Sequence, residues 1–343
     1  MSARIGLVAI GRNEGPRLER CLRSVVGQVA SAVYVDSGST DGSVELAAGL
    51  GVEVVELDPS TPFTAARARN EGFARLLERD PEIELVQFVD GDCEVADGWL
   101  DRAAAELQSR PDVAVVCGRR RERDVDGSIY NRLIDLEWDT PVGEASACGG
   151  DSMMRVEPLR AAGGFNAALI AGEEPELCLR LRREGRKIVR IDAEMTRHDA
   201  AMTRLGQWWR RAVRCGHAYA EGAWMHGRSP ERYNVRQVGS TLAWGVVLPV
   251  LAIAPAWVTN GWSLLGLLAY PLQWVRIAAR QRRRDRSGSD SRLYATSTVM
   301  GKFAQCVGIG LFALNLLRGR RAGLIEYKAQ PAGDEGPSEE APG

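Results

Sequence analysis

Up to about residue 118 the chain alternates between two patterns. Short runs rich in Val and Ile, at 5–10, 32–35, 52–57, 85–89 and 113–117, are strand-sized. The stretches between them, at 16–29, 42–49, 64–78 and 99–109, carry apolar residues at helical spacing. Alternation of this kind predicts an α/β fold, a mostly parallel sheet with helices on both faces. Ligands of such sheets bind beyond the carboxyl ends of the strands, so the residues after each apolar run matter most.

From 118 to about 222 the pattern loosens. Pro175 opens a helix that Gly185 closes, with Leu177 and Leu181 on one face. Strand-like pieces follow at 187–191 and 194–196, then a helix over about 203–221. Residues 238–275 contain no charge at all. That run is too long for one membrane helix of about 20 residues and suits a hairpin of two, turning near Thr259-Asn260-Gly261-Trp262. Trp244, Trp257, Trp262, Tyr270 and Trp274 fall toward its ends, as interfacial aromatics do. A buried helical pair in a soluble core is the alternative, although soluble helices seldom lack charge on every face. A later apolar stretch at 303–317, within a helix expected over 297–317, is bracketed by Lys302 and Arg318 and reads as interfacial or re-entrant.

Charge changes this picture only locally. Lys plus Arg total 44 and Asp plus Glu 45, a balance that points to no nucleic-acid partner. Seven Arg and two Asp lie between 276 and 292, and Arg232 and Arg236 precede the apolar run. Basic flanks at both ends place both on the cytoplasmic side of a membrane. The residues after 323 are acidic, Pro- and Gly-rich, and expected to be disordered. The seven Cys are scattered singly and the N-terminus enters a strand directly, which fits a reducing compartment and no signal peptide. The expected organisation is a catalytic domain over 1–225, a membrane-associated helical region over 226–322, and the tail.

Four polar clusters follow predicted strands or open a helix. Gly11-Arg12-Asn13-Glu14 follows the first strand and Asp36-Ser37-Gly38-Ser39-Thr40-Asp41-Gly42 the second. The second is a tight turn able to approach a ligand, with Asp36 and Asp41 offering acceptors to a nucleoside. Alone, it is equally an ordinary strand-to-helix connection with Asp41 as a cap. Asp90-Gly91-Asp92 ends the fourth strand, and two carboxylates on one turn suit a hard cation such as Mg²⁺ or Mn²⁺. Gly172-Glu173-Glu174-Pro175-Glu176 opens a helix, where acids either satisfy the helix dipole or hold a base at the mouth of a site.

In this order, these residues resemble the family 2 glycosyltransferases, whose nucleotide-sugar fold is called GT-A. The resemblance runs over about 4–215. It includes Ala68-Arg69-Asn70-Glu71-Gly72, Gly149-Gly150-Asp151, Gly163-Gly164-Phe165 and Gln207-Trp208-Trp209-Arg210-Arg211. It implies that Asn13, Glu14, Asp36, Ser37, Asp41, Arg69 and Asp90 hold a UDP- or GDP-sugar. It places Asp92 on a divalent cation, assisted by Asp90 and by His198. Glu174 would be the catalytic base beside Glu173, and Gly149, Gly150, Trp208, Trp209 and Arg210 would face acceptor or diphosphate. Ser37 and Glu174 each replace an Asp common in the family, and the Trp-Trp-Arg order argues against a polymerising enzyme. His198, a lone histidine, has a structural reading beside the ligand one.

The implied reaction is inverting transfer of a sugar to a lipid-linked or saccharide acceptor at the cytoplasmic face of the inner membrane. A sugar nucleotidyltransferase would want a Gly-rich, Lys-containing loop after the first strand, which Gly11-Arg12-Asn13-Glu14 lacks. A non-catalytic nucleotide-sugar binder would lack a base, whereas Glu173 and Glu174 are both present.

Overall fold

The computed structural model describes residues 3–319; the tail expected from 323 onward lies outside them. Strands β1 (Ile5–Gly11), β2 (Ser31–Asp36), β3 (Glu53–Glu56) and β4 (Leu85–Asp90) form the parallel half of the sheet, in the order β3-β2-β1-β4. They are linked by α1 (Pro16–Arg23), α2 (Ser43–Gly49) and α3 (Ala65–Arg79). The central strand β1 has no exposed residue on either face, as a doubly covered strand requires. The helix expected over 16–29 ends at Arg23, and a single 3₁₀ turn at Val26–Gln28 completes the connection. Helix α3 lies unusually close to the sheet. A Cβ on its Gly72 would sit 2.5 Å from a Val8 methyl and 2.7 Å from one of Val35.

Beyond β4 the sheet is mixed rather than parallel. β5 (Cys93–Val95), α4 (Trp99–Ser109), β6 (Val113–Glu122), α5 (Ile129–Trp138), β7 (Gly143–Ala145), β8 (Ser152–Arg155) and α6 (Val156–Ala161) follow in the chain. Next come α7 (Glu173–Arg183), β9 (Lys187–His198) and α8 (Leu205–His226). The order continues β4-β8-β6-β9-β5, with β8 antiparallel to both neighbours and β6 parallel to β9. The two strand pieces expected at 187–196 are one strand of 12 residues, whose register against β6 shifts twice near Gly118. No side chain fits at 118, where a Cβ would meet the Ala193 carbonyl and the Trp99 ring at 2.6 Å. β6 itself continues to Glu122, past the expected end at 117.

Helix α7 begins at Glu173, two residues before the expected Pro175. Proline is tolerated in a first helical turn because the N–H it lacks has no intrahelical partner there. Gly172 enters with φ 81° and Gly185 leaves with φ 78°.

The apolar run is a hairpin. One limb is α9 (Val235–Leu242), a π turn at Ala243–Val247 and α10 (Leu248–Ile253). The other is a 3₁₀ segment, Trp262–Leu268, followed by α11 (Ala269–Arg282). Trp244 meets the Tyr270 ring edge-on, and Ser263 Oγ donates to the Ala252 carbonyl, so the limbs run antiparallel. The stretch expected as a helix over 297–317 belongs to α12 (Gly288–Leu317), 30 residues and roughly 45 Å long. By length and composition Val235–Ile253 and Gly288–Leu317 could each cross a bilayer. α12 nevertheless lies along α8. Gly216 of α8 meets the Gln305 backbone and Gly308 of α12 meets the Val213 backbone, so the two helices touch main chain to main chain. α8 in turn is tied to the catalytic half by Arg211–Glu137 and by Arg214 donating to the Ile170 carbonyl.

Candidate active site

Every strand of the parallel half ends at the same edge, and the polar clusters meet there. The loops after β1 and β2 are stitched together: Asn13 N–H donates to Ser39 Oγ and Thr40 N–H to Asn13 Oδ1. Asn13 takes a left-handed backbone, φ 54°, to do so. Asp36 is 1% exposed and its four lone-pair positions are taken by Gly38 N–H, Ser39 N–H, Ser39 Oγ and the Tyr34 hydroxyl. Its carboxylate thereby builds the turn that follows β2. Asp41 accepts from Ser43 N–H and Oγ at the start of α2, from one residue before Gly42, which holds the N-cap position. Glu14 pairs with Arg17, and Ser37 remains partly exposed beside them.

The centre of the site is Arg69, 2% exposed, carried over the sheet edge by the close approach of α3. Its Nη2 donates to Asp90 Oδ1 at 2.8 Å; its Nη1 donates to Glu173 Oε1 at 2.7 Å and lies 3.2 Å from Glu174 Oε1. One guanidinium thus joins the end of β4 to the first turn of α7. Neighbouring Asn70 fixes the loop before α7 by exchanging two hydrogen bonds with the Phe165 backbone. Burial and Glu173, against the opposing pull of Arg69, raise the Glu174 carboxyl from 4.5 to about 7. Gly150 passes directly beneath this cluster, where a Cβ would lie 2.6 Å from Arg69 Nη2 and 2.8 Å from Asp90 Oδ2. Gly150→Ala is therefore expected to destabilise by about 1–3 kcal/mol and to displace the Arg69–Asp90 pair. Equal melting temperatures for variant and wild type would show that the cluster yields freely.

Asp90 has a second cation. Arg120 Nη2 donates to Asp90 Oδ2 at 2.8 Å, and Arg120 Nε lies 2.8 Å from Asp151 Oδ2. Asp151 is fully buried and accepts from Asp90 N–H and Thr196 Oγ1. Asp90 thus has a guanidinium on each oxygen, and its ligand atoms also lie within 4.8 Å of those of Cys93 and Asp151, a second group able to hold a cation. Asp92 differs. The register pairs Cys93 of β5 and Glu122 of β6 with His198 of β9. His198 Nε2 consequently lies 3.2 Å from Asp92 Oδ2, and its Nδ1 lies 3.1 Å from Glu122 Oε2. The Trp138 ring meets the imidazole edge-on at 4.7 Å and carries the Arg120 guanidinium on its face at 4.8 Å. Burial holds His198 below its usual pKa. A neutral imidazole oriented through Nδ1 by a carboxylate, with Nε2 turned toward Asp92, has the donor chemistry a divalent cation needs. The ligand atoms of Asp92, Cys93 and His198 lie within 4.8 Å of one another.

The sequence profile of glycosyl transferase family 2 matches residues 8–160. Over that stretch, somewhat less than half of the chain, the protein is similar to this family. Solved structures agree on its fold, which is GT-A. A mannosyltransferase from Pyrobaculum calidifontis, in complex with GDP-Man and Mn²⁺, is 16% identical with a TM-score of 0.57, covering 92% of this chain and 88% of that one. TarS 1–349 of S. aureus is 14% identical with a TM-score of 0.51, covering 86% of this chain and 90% of that one. A TPR repeat-containing protein of Synechococcus elongatus is 33% identical over 143 residues, 40% of this chain and 32% of the relative. The chain thus spans about a third of that curated relative's length.

The match to the family ends before Glu173, Glu174, His198 and Trp208, so geometry has to place those residues. It brings the two Glu and His198 to the strand-end edge. It does not bring Trp208 there as an open surface: Trp208 is 7% exposed and packs with Leu133, Ile134, Ala200 and Met202. Trp209 lies against the same cluster and Arg210 is exposed. Gly149 is exposed beside Gly150. Sequence reasoning missed Arg120, Glu122 and Trp138 and gave Asp151 no role of its own. The available signal was Arg119-Arg120-Arg121-Glu122, a charge run directly continuing a buried strand.

Proposed function

We propose that this chain transfers a glycosyl group from a nucleoside-diphosphate sugar to an acceptor hydroxyl, with Glu174 as the base. The observation that carries this reading is the Arg69 cluster, which holds Glu174 beside the end of β4 while burial raises its proton affinity. As the acceptor oxygen bonds to the anomeric carbon, Glu174 takes its proton. The bond from that carbon to the donor's diphosphate breaks, and the diphosphate leaves with the electron pair. Glu173 and Asp90 keep Arg69 in place, and Arg69 fixes Glu174 in orientation. The Asn13–Ser39–Thr40 loops shape the nucleoside side of the site, with Ser37, Asn13 and Asp41 at its surface. Asp92 and His198 would hold a divalent cation, which would supply charge neutralisation to the leaving diphosphate. The Mn²⁺ and GDP-Man of the Pyrobaculum mannosyltransferase support this assignment.

The acceptor we infer is membrane-linked. Trp257, Val258, Trp262 and Leu272 of the hairpin are 68–86% exposed, a patch of the kind that marks a membrane or protein contact. Arg232, Arg236 and Arg276 stand at the base of both limbs, which favours the cytoplasmic face. α12, lying along α8, fits an interfacial helix. Its N-terminal end is tied to α5 by Arg132–Asp290.

A panel of UDP- and GDP-sugars tests the reaction. Metal-stimulated release of nucleoside diphosphate is expected. Release of pyrophosphate from a nucleoside triphosphate and a sugar phosphate would identify a nucleotidyltransferase, and no turnover with any donor would identify a binder. Asp92→Asn and His198→Gln are each expected to weaken Mn²⁺ binding by roughly 10–100-fold, read by isothermal titration without substrate. Unchanged affinity in both would remove the ion from this place.

A further inference from the structure

A cavity of about 370 Å³ lies between the hairpin and α12, away from the strand-end site. Arg280, Arg284 and Lys302 line it, together with the rings of Trp244, Tyr270 and Tyr294, and no carboxylate does. Among the described residues Arg280 and Arg284 have no ion pair. Arg286 of the same basic run, by contrast, is anchored on the Leu136 carbonyl and over the Tyr294 ring. Lys302, also on the lining, donates to the buried Thr241 Oγ1. One further polar group is committed to this wall. Gln281 is 5% exposed, and its side-chain oxygen has no partner. A buried amide end left unmatched costs about 1–3 kcal/mol. It can accept from a hydroxyl or, with the amide turned over, donate to a phosphate oxygen.

We infer that this cavity seats the phosphate head group of an anionic membrane lipid, with the acyl or prenyl chains lying along the exposed hairpin. Three cations around one concave space supply the charge and Gln281 a directional contact. Leu272 and Val275, 70% and 56% exposed, lie on other faces of α11 and leave the hairpin's outer surface apolar. The aromatic rings suit the boundary between head group and chain. One lining residue also packs against the catalytic half. Tyr294 belongs to the apolar cluster that contains Trp138, the ring covering His198 and Arg120. A lipid bound here therefore sits on the flank from which a membrane-linked acceptor would reach the site. The inference rests on the membrane-contact reading but not on the assignment of base or metal.

The experiment uses the full chain in detergent and in nanodiscs, with native mass spectrometry to count retained lipids. Phosphatidylglycerol is expected to be retained at one per protein in preference to phosphatidylcholine. Arg280→Gln/Arg284→Gln, both exposed positions that spare the fold, is expected to lower its retention by roughly tenfold or more. Arg276→Gln/Arg283→Gln removes the same charge from outside the cavity and is expected to change retention less than twofold. Equal losses in the two variants would mean diffuse charge attraction and overturn the site. So would equal retention of phosphatidylcholine, or displacement of the lipid by millimolar inorganic phosphate, which would identify a free-phosphate site. Absence of the wild-type protein from sedimented vesicles of either lipid would remove the membrane reading together with this one, while leaving donor turnover unaffected.

Discussion

Arg69→Met is expected to be the most damaging single change in this chain, lowering stability by about 3–5 kcal/mol and abolishing transfer. The guanidinium is 2% exposed and is shared by Asp90, Glu173 and Glu174. Removing one partner of a buried ionic group costs far more than the group's net contribution, because the others keep their charge without compensation. Here Glu173 and Glu174 would be left together without that cation, and Asp90 with Arg120 alone. The sign of the pH dependence follows. Stranded carboxylates have raised pKa values, so the variant binds more protons folded than unfolded as pH falls, and its deficit shrinks. The gap between variant and wild-type melting temperatures should therefore be larger at about pH 8 than at about pH 5. Arg69→Lys should recover only part of the loss, since one ammonium cannot span partners on both sides as the planar fork does. A Met variant as stable as wild type would show that the cluster is not formed in solution.

Glu174→Gln is expected to lower turnover by roughly 10²-fold or more while leaving donor affinity near that of wild type. Burial and Glu173 raise the Glu174 carboxyl to about 7, so the base is ionised only as pH passes that value. Wild-type kcat/KM should rise with pH through about 7, and the residual activity of the Gln variant should not show that step. Stability runs the other way. Between 4.5 and about 7 the folded carboxyl holds a proton that the unfolded chain has released, so this group's contribution falls as pH rises through that window. The amide of the Gln variant has no such titration, and the slope should flatten. Glu173→Gln should behave differently. That carboxylate is 4% exposed and accepts from Arg69 at 2.7 Å, so its loss should lower melting temperature first. If Glu173→Gln lowers turnover with stability intact and Glu174→Gln does not, the base is Glu173.

Much of the catalytic half is legible in the sequence because its elements are locally consistent. β1 to β4 are apolar runs bounded by Gly, Ser and Asp, and each predicted start or stop falls within a few residues of the observed one. The exceptions have local reasons. The expected end of β6 falls short because Gly118 and Arg119-Arg120-Arg121 do not read as strand. The structure continues the strand there because only glycine fits beneath Ala193 and Trp99, and the charges that follow have carboxylate partners. The expected start of α12 comes too late because the helix's first half is polar: Ser287 caps it by accepting from Asp290 N–H, well before the apolar run begins.

By itself the sequence determined the strand–helix alternation, the loops in which polar residues gather, the acidic turn at Asp90–Asp92, the Glu pair at a helix start and the uncharged hairpin. These follow from periodicity and turn chemistry, which act over a few residues. Only the tertiary structure decided what each carboxylate is packed against. Asp36 and Asp90 look as open as Asp92 along the chain, yet Asp36 is filled by its own turn and Asp90 by Arg69 and Arg120. Asp92 meets His198 because β5 and β6 both pair with β9 at that register, a contact between residues far apart in the chain. Whether a charged side chain is a ligand, a base or a brace depends on which opposite charge is packed against it in a low-dielectric interior. That partner is chosen by strand order and helix packing, which no local pattern encodes.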